Sequence, residues 1–302
     1  MNNIFQAHCI YSIKKLSPGF NDFEAGNLCY GDNSFTLEVT TAICKYFFKF
    51  FLAENIKKVK SEIFVLKFLQ GKKLSVPEFL RIGNDELFYS QMIPQVNTIF
   101  YATKVVEGTP MPITSWDNLY KVIDYVSLLH KYCAEIDMKK IKLRHSTGHQ
   151  NLIKFYLYNF SFFNKKGLAK EIEYFINLVP YKNKRYPIHS DIHCKNMIFS
   201  EKSGITLIDF SDIRIGYFED DLGKFFQYIL YEKNVDIHVI SLLIETYEKI
   251  SKFTVSRTNI YISIIFNTIH RYFSDAQFDK NNHYHNVTKN VIKLVKNLVL
   301  SQ

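Results

Sequence analysis

The sequence predicts an α+β chain of two lobes: a small antiparallel-sheet lobe over residues 1–107 and a larger, mostly helical lobe over residues 108–302. Three observations carry this expectation. Runs with strand character cluster in the first third, segments with helical periodicity fill most of the remainder, and 302 residues exceed one small core.

In chain order, Leu28-Cys29-Tyr30, Phe35 to Val39 and Tyr46 to Phe50 read as three antiparallel strands, the first two joined by the turn Gly31-Asp32-Asn33-Ser34. Ile56 to Leu69 is amphipathic, with Ile63, Leu66, Phe68 and Leu69 on its buried face. Thr98 to Val106 is a further strand-like run, and Glu107-Gly108-Thr109-Pro110 is a breaker cluster suited to a crossing between lobes. Trp116 to Cys133 sets Leu119, Ile123, Val126 and Leu129 at helical spacing; His130 on that stripe reads as a hydrogen-bonded core histidine. Asn151 to Phe163 and Leu168 to Val179 form a helical pair about Asn164-Lys165-Lys166-Gly167, a reasonable wall for an acceptor pocket. Met197-Ile198-Phe199 and Ile205 to Ile208 form a hairpin about Glu201-Lys202-Ser203-Gly204. Helices at Phe225 to Tyr231, Ile237 to Ile250 and Ile260 to Phe273 complete the larger lobe.

The chemistry concentrates in His189-Ser190-Asp191-Ile192-His193-Cys194-Lys195-Asn196, followed after the hairpin by Asp209-Phe210-Ser211-Asp212. A phosphoryl-transfer site needs these groups in this order: a carboxylate to meet the attacking hydroxyl (Asp191), an amide one turn later (Asn196), and a second carboxylate for magnesium (Asp209). The hairpin brings Asp209 back beside Asn196, and hard oxygen ligands suit Mg²⁺. Singly, each acidic residue would read as a solvated charge or a helix cap; order and spacing together reverse that reading. Ile198 and Ile208 flank the metal ligands and would floor a purine site, as well as packing the core. On the strand Tyr46 to Phe50, Lys49 is the only charge. It is a candidate for the nucleotide phosphates, with an edge-strand lysine as the plainer reading. Glu62 on the amphipathic segment could hold it there, and Glu54 is an alternative partner. The turn ending at Ser34 would lie over the triphosphate.

This constellation resembles the aminoglycoside phosphotransferase family, whose signature loop reads His-Gly-Asp, four variable residues, then Asn. The resemblance implies a protein-kinase-like fold, Asp191 as catalytic base, Asn196 and Asp209 as metal ligands, and the Lys49–Glu62 pair. It further implies that backbone groups at Lys104 and Val106 bind the purine, and that Asp221 braces the catalytic loop. The chain departs from the pattern where Ser190 replaces the usual glycine, where Cys194 and Lys195 replace a common Pro-Gly pair, and at Gly216-Tyr217-Phe218. None of these removes a group the reaction needs. Residues 272–280 resemble the corresponding stretch of hygromycin-type and 2″-type members.

The expected activity is O-phosphotransfer from ATP or GTP, with Mg²⁺, to a hydroxyl of a small molecule. An aminoglycoside is the leading acceptor; a metabolite alcohol such as choline, a sugar or homoserine is the alternative. A polycationic acceptor calls for carboxylates, and Asp212, Glu219, Asp220, Asp275 and Asp279 are the candidates, Asp212 foremost. The net charge of +9 opposes a polycation at long range, although a local acidic cleft can dominate within about 8 Å. The basic pairs Lys57-Lys58, Lys72-Lys73, Lys139-Lys140 and Lys165-Lys166 are dispersed, which reads as solubilising charge rather than a nucleic-acid site. No apolar run reaches the roughly 18 residues of a membrane span, residues 1–15 lack the order of a secretory signal, and five scattered cysteines suit a reducing cytoplasm. A regulated protein kinase is disfavoured because no Ala-Pro-Glu element follows Asp209. The sequence gives no oligomeric state.

Overall fold

A computed structural model describes residues 2–16, 22–30, 34–80, 88–92, 96–113, 115–233, 236–276 and 282–301. The turn residues Gly31 to Asn33 and the candidate Asp279 lie outside the described residues. The chain forms two compact units, one of Met1–Thr109 with Lys139–Lys142 and Ser200–Ile208, the other of Pro110–Met138, Leu143–Phe199 and Asp209–Gln302.

The first unit is built on a five-stranded antiparallel sheet of β1 (Glu24–Tyr30), β2 (Phe35–Thr40), β3 (Lys45–Leu52), β4 (Phe88–Met92) and β5 (Val96–Lys104), ordered β1-β2-β3-β5-β4. Side chains alternate across a pleated strand, and β3 is apolar on both faces. On one face Phe48 and Phe50, with Leu37, Val39, Phe100 and Ala102, pack on Cys9 and Ile13 of α1 (Asn2–Leu16). On the other, Phe51, Ile99 and Tyr101 pack on Val59 and Ile63 of α2 (Ile56–Gly71). Lys49 falls on this second face, in register with Tyr101.

The second unit holds α3 (Trp116–Cys133), α4 (Gly148–Tyr158), α5 (Phe160–Lys165), α6 (Ala169–Ile176), α7 (Phe218–Lys233), α8 (Ile237–Ser251), α9 (Arg257–Asp275) and α10 (His283–Leu300). Four of these helices start on side-chain caps: Ser115, Thr147, Asp236 and Ser256 accept from Asn118, Gln150, His238 and Asn259 backbone N–H groups. A two-stranded antiparallel pair, β7 (Tyr186–Ile188) with β10 (Arg214–Gly216), sets Ile188 opposite Arg214. That pairing ties the entry of the His189–Asn196 loop to the exit of the Asp209 segment. Three further short strands are β6 (Thr109–Pro110), β8 (Met197–Ser200) and, in the first unit, β9 (Gly204–Leu207).

Two expectations for the helices change. The single helix over 151–163 is two, because Asn159 leaves helical geometry (φ −111°) and its side-chain amide joins its backbone N–H on the carbonyl of Phe155. The helix read from Phe225 begins at Phe218, and α1 and α10 were not anticipated. No helix among the described residues is long and apolar enough to cross a membrane.

Candidate active site

The loop that follows β7 is held from beneath by Asp221, fully buried in the first turn of α7. Its Oδ2 accepts the His189 N–H at 2.9 Å and its Oδ1 the Ser190 N–H at 2.6 Å. His130 of α3 sits 3.2 Å from the same Oδ2 through Nε2, while its Nδ1 meets the Tyr247 hydroxyl at 2.8 Å and its ring stacks on Phe218 at 4.2 Å. His130 is thus a fully buried structural histidine. Ser190 takes φ +75°, in the left-handed region that favours glycine, which explains why its position is a glycine in the signature loop.

Asp191 emerges from this base into a ring of donors. Asn196 Nδ2 lies 3.0 Å from both its carbonyl oxygen and its Oδ2, His193 Nε2 lies 3.3 Å from Oδ2, and Lys224 Nζ of α7 lies 3.2 Å from Oδ1. His193 Nδ1 accepts the Lys195 N–H, which leaves Nε2 as the protonated nitrogen facing Asp191, and its ring stacks on Tyr228, one turn beyond Lys224. Burial works to raise the Asp191 pKa, but the His193 hydrogen bond and the charge of Lys224, with the two histidines, hold the carboxyl well below its ordinary range. A carboxylate offers about four lone-pair directions. Among the described residues, His193 and Asn196 take both on Oδ2 and Lys224 takes one on Oδ1, so the direction left for an incoming hydroxyl lies on Oδ1, beside Lys224. Sequence reasoning missed Lys224, because a lysine on an amphipathic helix carries no signal that separates it from a solvated one.

Because Asn196 turns its amide nitrogen to Asp191, its carbonyl oxygen faces away from that carboxylate. Asp209 is exposed, in the left-handed region (φ +58°), with Oδ1 accepting from Ser211 Oγ at 2.7 Å. One amide oxygen and one carboxylate are a hard donor set, and both fit a magnesium-like cation that takes its other ligands from phosphate and water.

In the first unit, Glu62 is fully buried on α2 and its Oε1 accepts the Tyr101 hydroxyl at 2.5 Å. Tyr101 stands opposite Lys49 on the same face of the sheet, so Lys49 and Glu62 share one neighbour. Lys104 forms a pair with Tyr46 in which Lys45 accepts the Val105 N–H, the non-hydrogen-bonded type, so the N–H and C=O of Lys104 point away from β3. The Lys104 N–H is spent on Glu78 O at 2.9 Å, so any purine contact there falls to its carbonyl. Ser34 is buried, whereas Val106, Ile198 and Ile208 are half-buried.

Of the acidic candidates for a polycationic acceptor, burial removes Glu219 and Asp220 from solvent. Glu219 is buried and accepts from Ser256 N–H and the Asn183 amide. Asp220 is buried and accepts from the Gly148 and Tyr217 N–H groups. Both carboxylates have raised pKa values, through burial first. They fasten α7 to its surroundings and face no solvent. Asp275 lies 2.6 Å from Arg271 Nε, one turn earlier on α9, so its charge is answered within the helix. Only Asp212 of the described candidates stands exposed.

The sequence matches the model of the phosphotransferase enzyme family over residues 30–250. No curated protein matches the sequence. Among solved structures, the chain is similar to the GDP complex of aminoglycoside 2'-phosphotransferase-IIIa (TM-score 0.65, 13% identity, 97% of each chain covered). It is also similar to amicoumacin kinase hAmiN in complex with AMP-PNP, Ca²⁺ and Ami (0.64, 11%, covering 98% of this chain and 96% of that one). A third is a microcompartment-associated aminopropanol kinase (0.60, 11%, 94% and 92%). At these identities the likeness establishes a shared fold, the protein-kinase-like one.

Proposed function

The chain belongs to the phosphotransferase enzyme family, and from that premise we propose that it moves the γ-phosphoryl group of ATP or GTP to a hydroxyl of a small molecule. The observation that carries the reading is Asp191, a partly open carboxylate gripped by Asn196, His193 and Lys224 on a loop fixed by Asp221. Its depressed pKa keeps it anionic, so it acts chiefly by accepting the hydroxyl's hydrogen bond and aiming the oxygen in line. Phosphoryl transfer asks for that positioning more than for a strong base. Lys49, steadied through Tyr101 and Glu62, would grip phosphate; Ser34 would border the phosphates; Lys104 and Val106 would meet the purine over Ile198 and Ile208. A divalent cation, Mg²⁺ by its preference for hard oxygens, would be held by Asn196 and Asp209 and would neutralise charge on the phosphates.

For the acceptor, an aminoglycoside was the leading expectation. The solved structures of this fold span amicoumacin, an aminopropanol and aminoglycosides, so likeness selects none. The burial of Glu219 and Asp220 and the pairing of Asp275 favour the second reading, a metabolite alcohol, with Asp212 as the remaining acidic contact.

The test is Asp191→Asn. Loss of a positioned acid–base group costs about 10²–10⁴-fold in turnover, while nucleotide binding, followed by thermal stabilisation, should persist. Turnover within a few-fold of the wild type would reject the assignment.

A further inference from the structure

The hydroxyl position left open on Asp191 Oδ1 adjoins the Lys224 ammonium, which is 3.2 Å from that oxygen. Lys224 and Asp191 remain 27% and 30% exposed, so both are within reach of a bound molecule. Of the described acidic candidates, Glu219 and Asp220 are consumed by backbone donors and Asp275 by Arg271, which leaves Asp212 to offset a cationic ligand. The net charge of +9 adds a field of the same sign.

We propose that Lys224 is a specificity residue that excludes acceptors with a positive charge near the reactive hydroxyl, so that the enzyme takes uncharged or anionic alcohols. An ammonium a few bonds from a hydroxyl docked on Oδ1 would stand within a few ångströms of Nζ. At that range like charges repel strongly in a partly buried site. A carboxylate or phosphate in the same place gains a charge-assisted hydrogen bond. Lys224 makes its one ion pair among the described residues with Asp191, and one turn further along α7 Tyr228 stacks on His193. This inference rests on the phosphotransferase reading.

The experiment uses full-length protein with Mg²⁺ and ATP or GTP, measuring nucleoside diphosphate release with 1,3-propanediol, 3-hydroxypropanoate, 3-amino-1-propanol and kanamycin. Wild type is compared with Lys224→Arg and Lys224→Glu, each checked for an unchanged circular dichroism spectrum. Wild type should favour the diol or the hydroxy acid over both amines by about 10- to 100-fold in kcat/KM, the scale of one charge-assisted contact. Lys224→Arg should keep that order. Lys224→Glu should narrow or invert it, chiefly through KM, which a merely structural lysine would not do. Preference of the wild type for an amine, an order unchanged in Lys224→Glu, or diphosphate release that no alcohol alters would overturn the proposal. Absence of both nucleotide turnover and nucleotide-induced stabilisation would instead reject the phosphotransferase reading beneath it.

Discussion

Replacing Ser190 by glycine should stabilise the protein, although it alters the residue next to the candidate catalytic carboxylate. Ser190 sits at φ +75°, which costs an L-residue about 1–2 kcal/mol. Its Oγ is buried with no hydrogen-bond partner among the described residues, a further penalty of about 1–3 kcal/mol. Glycine removes both and loses about 0.5–1 kcal/mol to the greater freedom of the unfolded chain. The Ser190 N–H that donates to Asp221 is kept. The net expectation is a gain of about 1–4 kcal/mol, read as a higher urea midpoint at unchanged slope. Ser190→Ala separates the two contributions, because it deletes the hydroxyl but leaves a Cβ on the left-handed backbone. Stability should rank Gly above Ala above Ser. If alanine equals or exceeds glycine, backbone strain is absent and the reasoning fails; if neither exceeds serine, the buried hydroxyl carries no penalty either.

Two further outcomes follow from the site. Asp209→Asn should weaken Mg²⁺-dependent nucleotide binding and leave the metal-free component in place; an identical magnesium titration for variant and wild type would remove Asp209 from the metal site. Burial pushes the Asp220 carboxyl up to about 7, against the opposing charge of Arg214. A carboxyl raised above its unfolded value near 3.8 binds its proton more tightly in the folded state. Its contribution is therefore full below about pH 4 and declines as pH rises toward 7, by a few kcal/mol at about 1.36 kcal/mol per unit. The urea-derived stability difference between wild type and Asp220→Asn should slope across pH 4–7 in that direction, and a flat difference would contradict it.

Much of this was readable from residues alone, for physical reasons that also mark where reading failed. Strands β2 and β3 announce themselves by apolar and aromatic runs of strand length, and α3 by its stripe from Leu119 to Leu129, because local periodicity suffices for both. The grouping of Asp191, His193 and Asn196 was legible because all three lie within one short loop. Asp221 was recoverable only through resemblance, and its geometry agrees with the bracing role. Glu219 and Asp220 were misread because three acids in the first turn of a helix resemble an exposed, dipole-favoured cluster. Only tertiary packing, with Ser256, Asn183, Gly148 and Tyr217 supplying donors, turns them inward. Lys224 was invisible for the converse reason: its partner lies 33 positions away, and nothing local distinguishes it. The break at Asn159 depends on a side-chain amide competing for one carbonyl, below the resolution of a periodicity argument.

Tyr247, His130 and Asp221 form a buried line that ends on two successive amides, those of His189 and Ser190, just before Asp191. No ligand needs to touch it. The chain therefore separates two groups: the buried line on α3, α7 and α8 fixes the backbone that carries Asp191, while exposed residues such as Asp212 lie outside it. A lineage could exchange acceptors by editing the second group while the first stays still, much as a vice keeps its jaws when the workpiece changes.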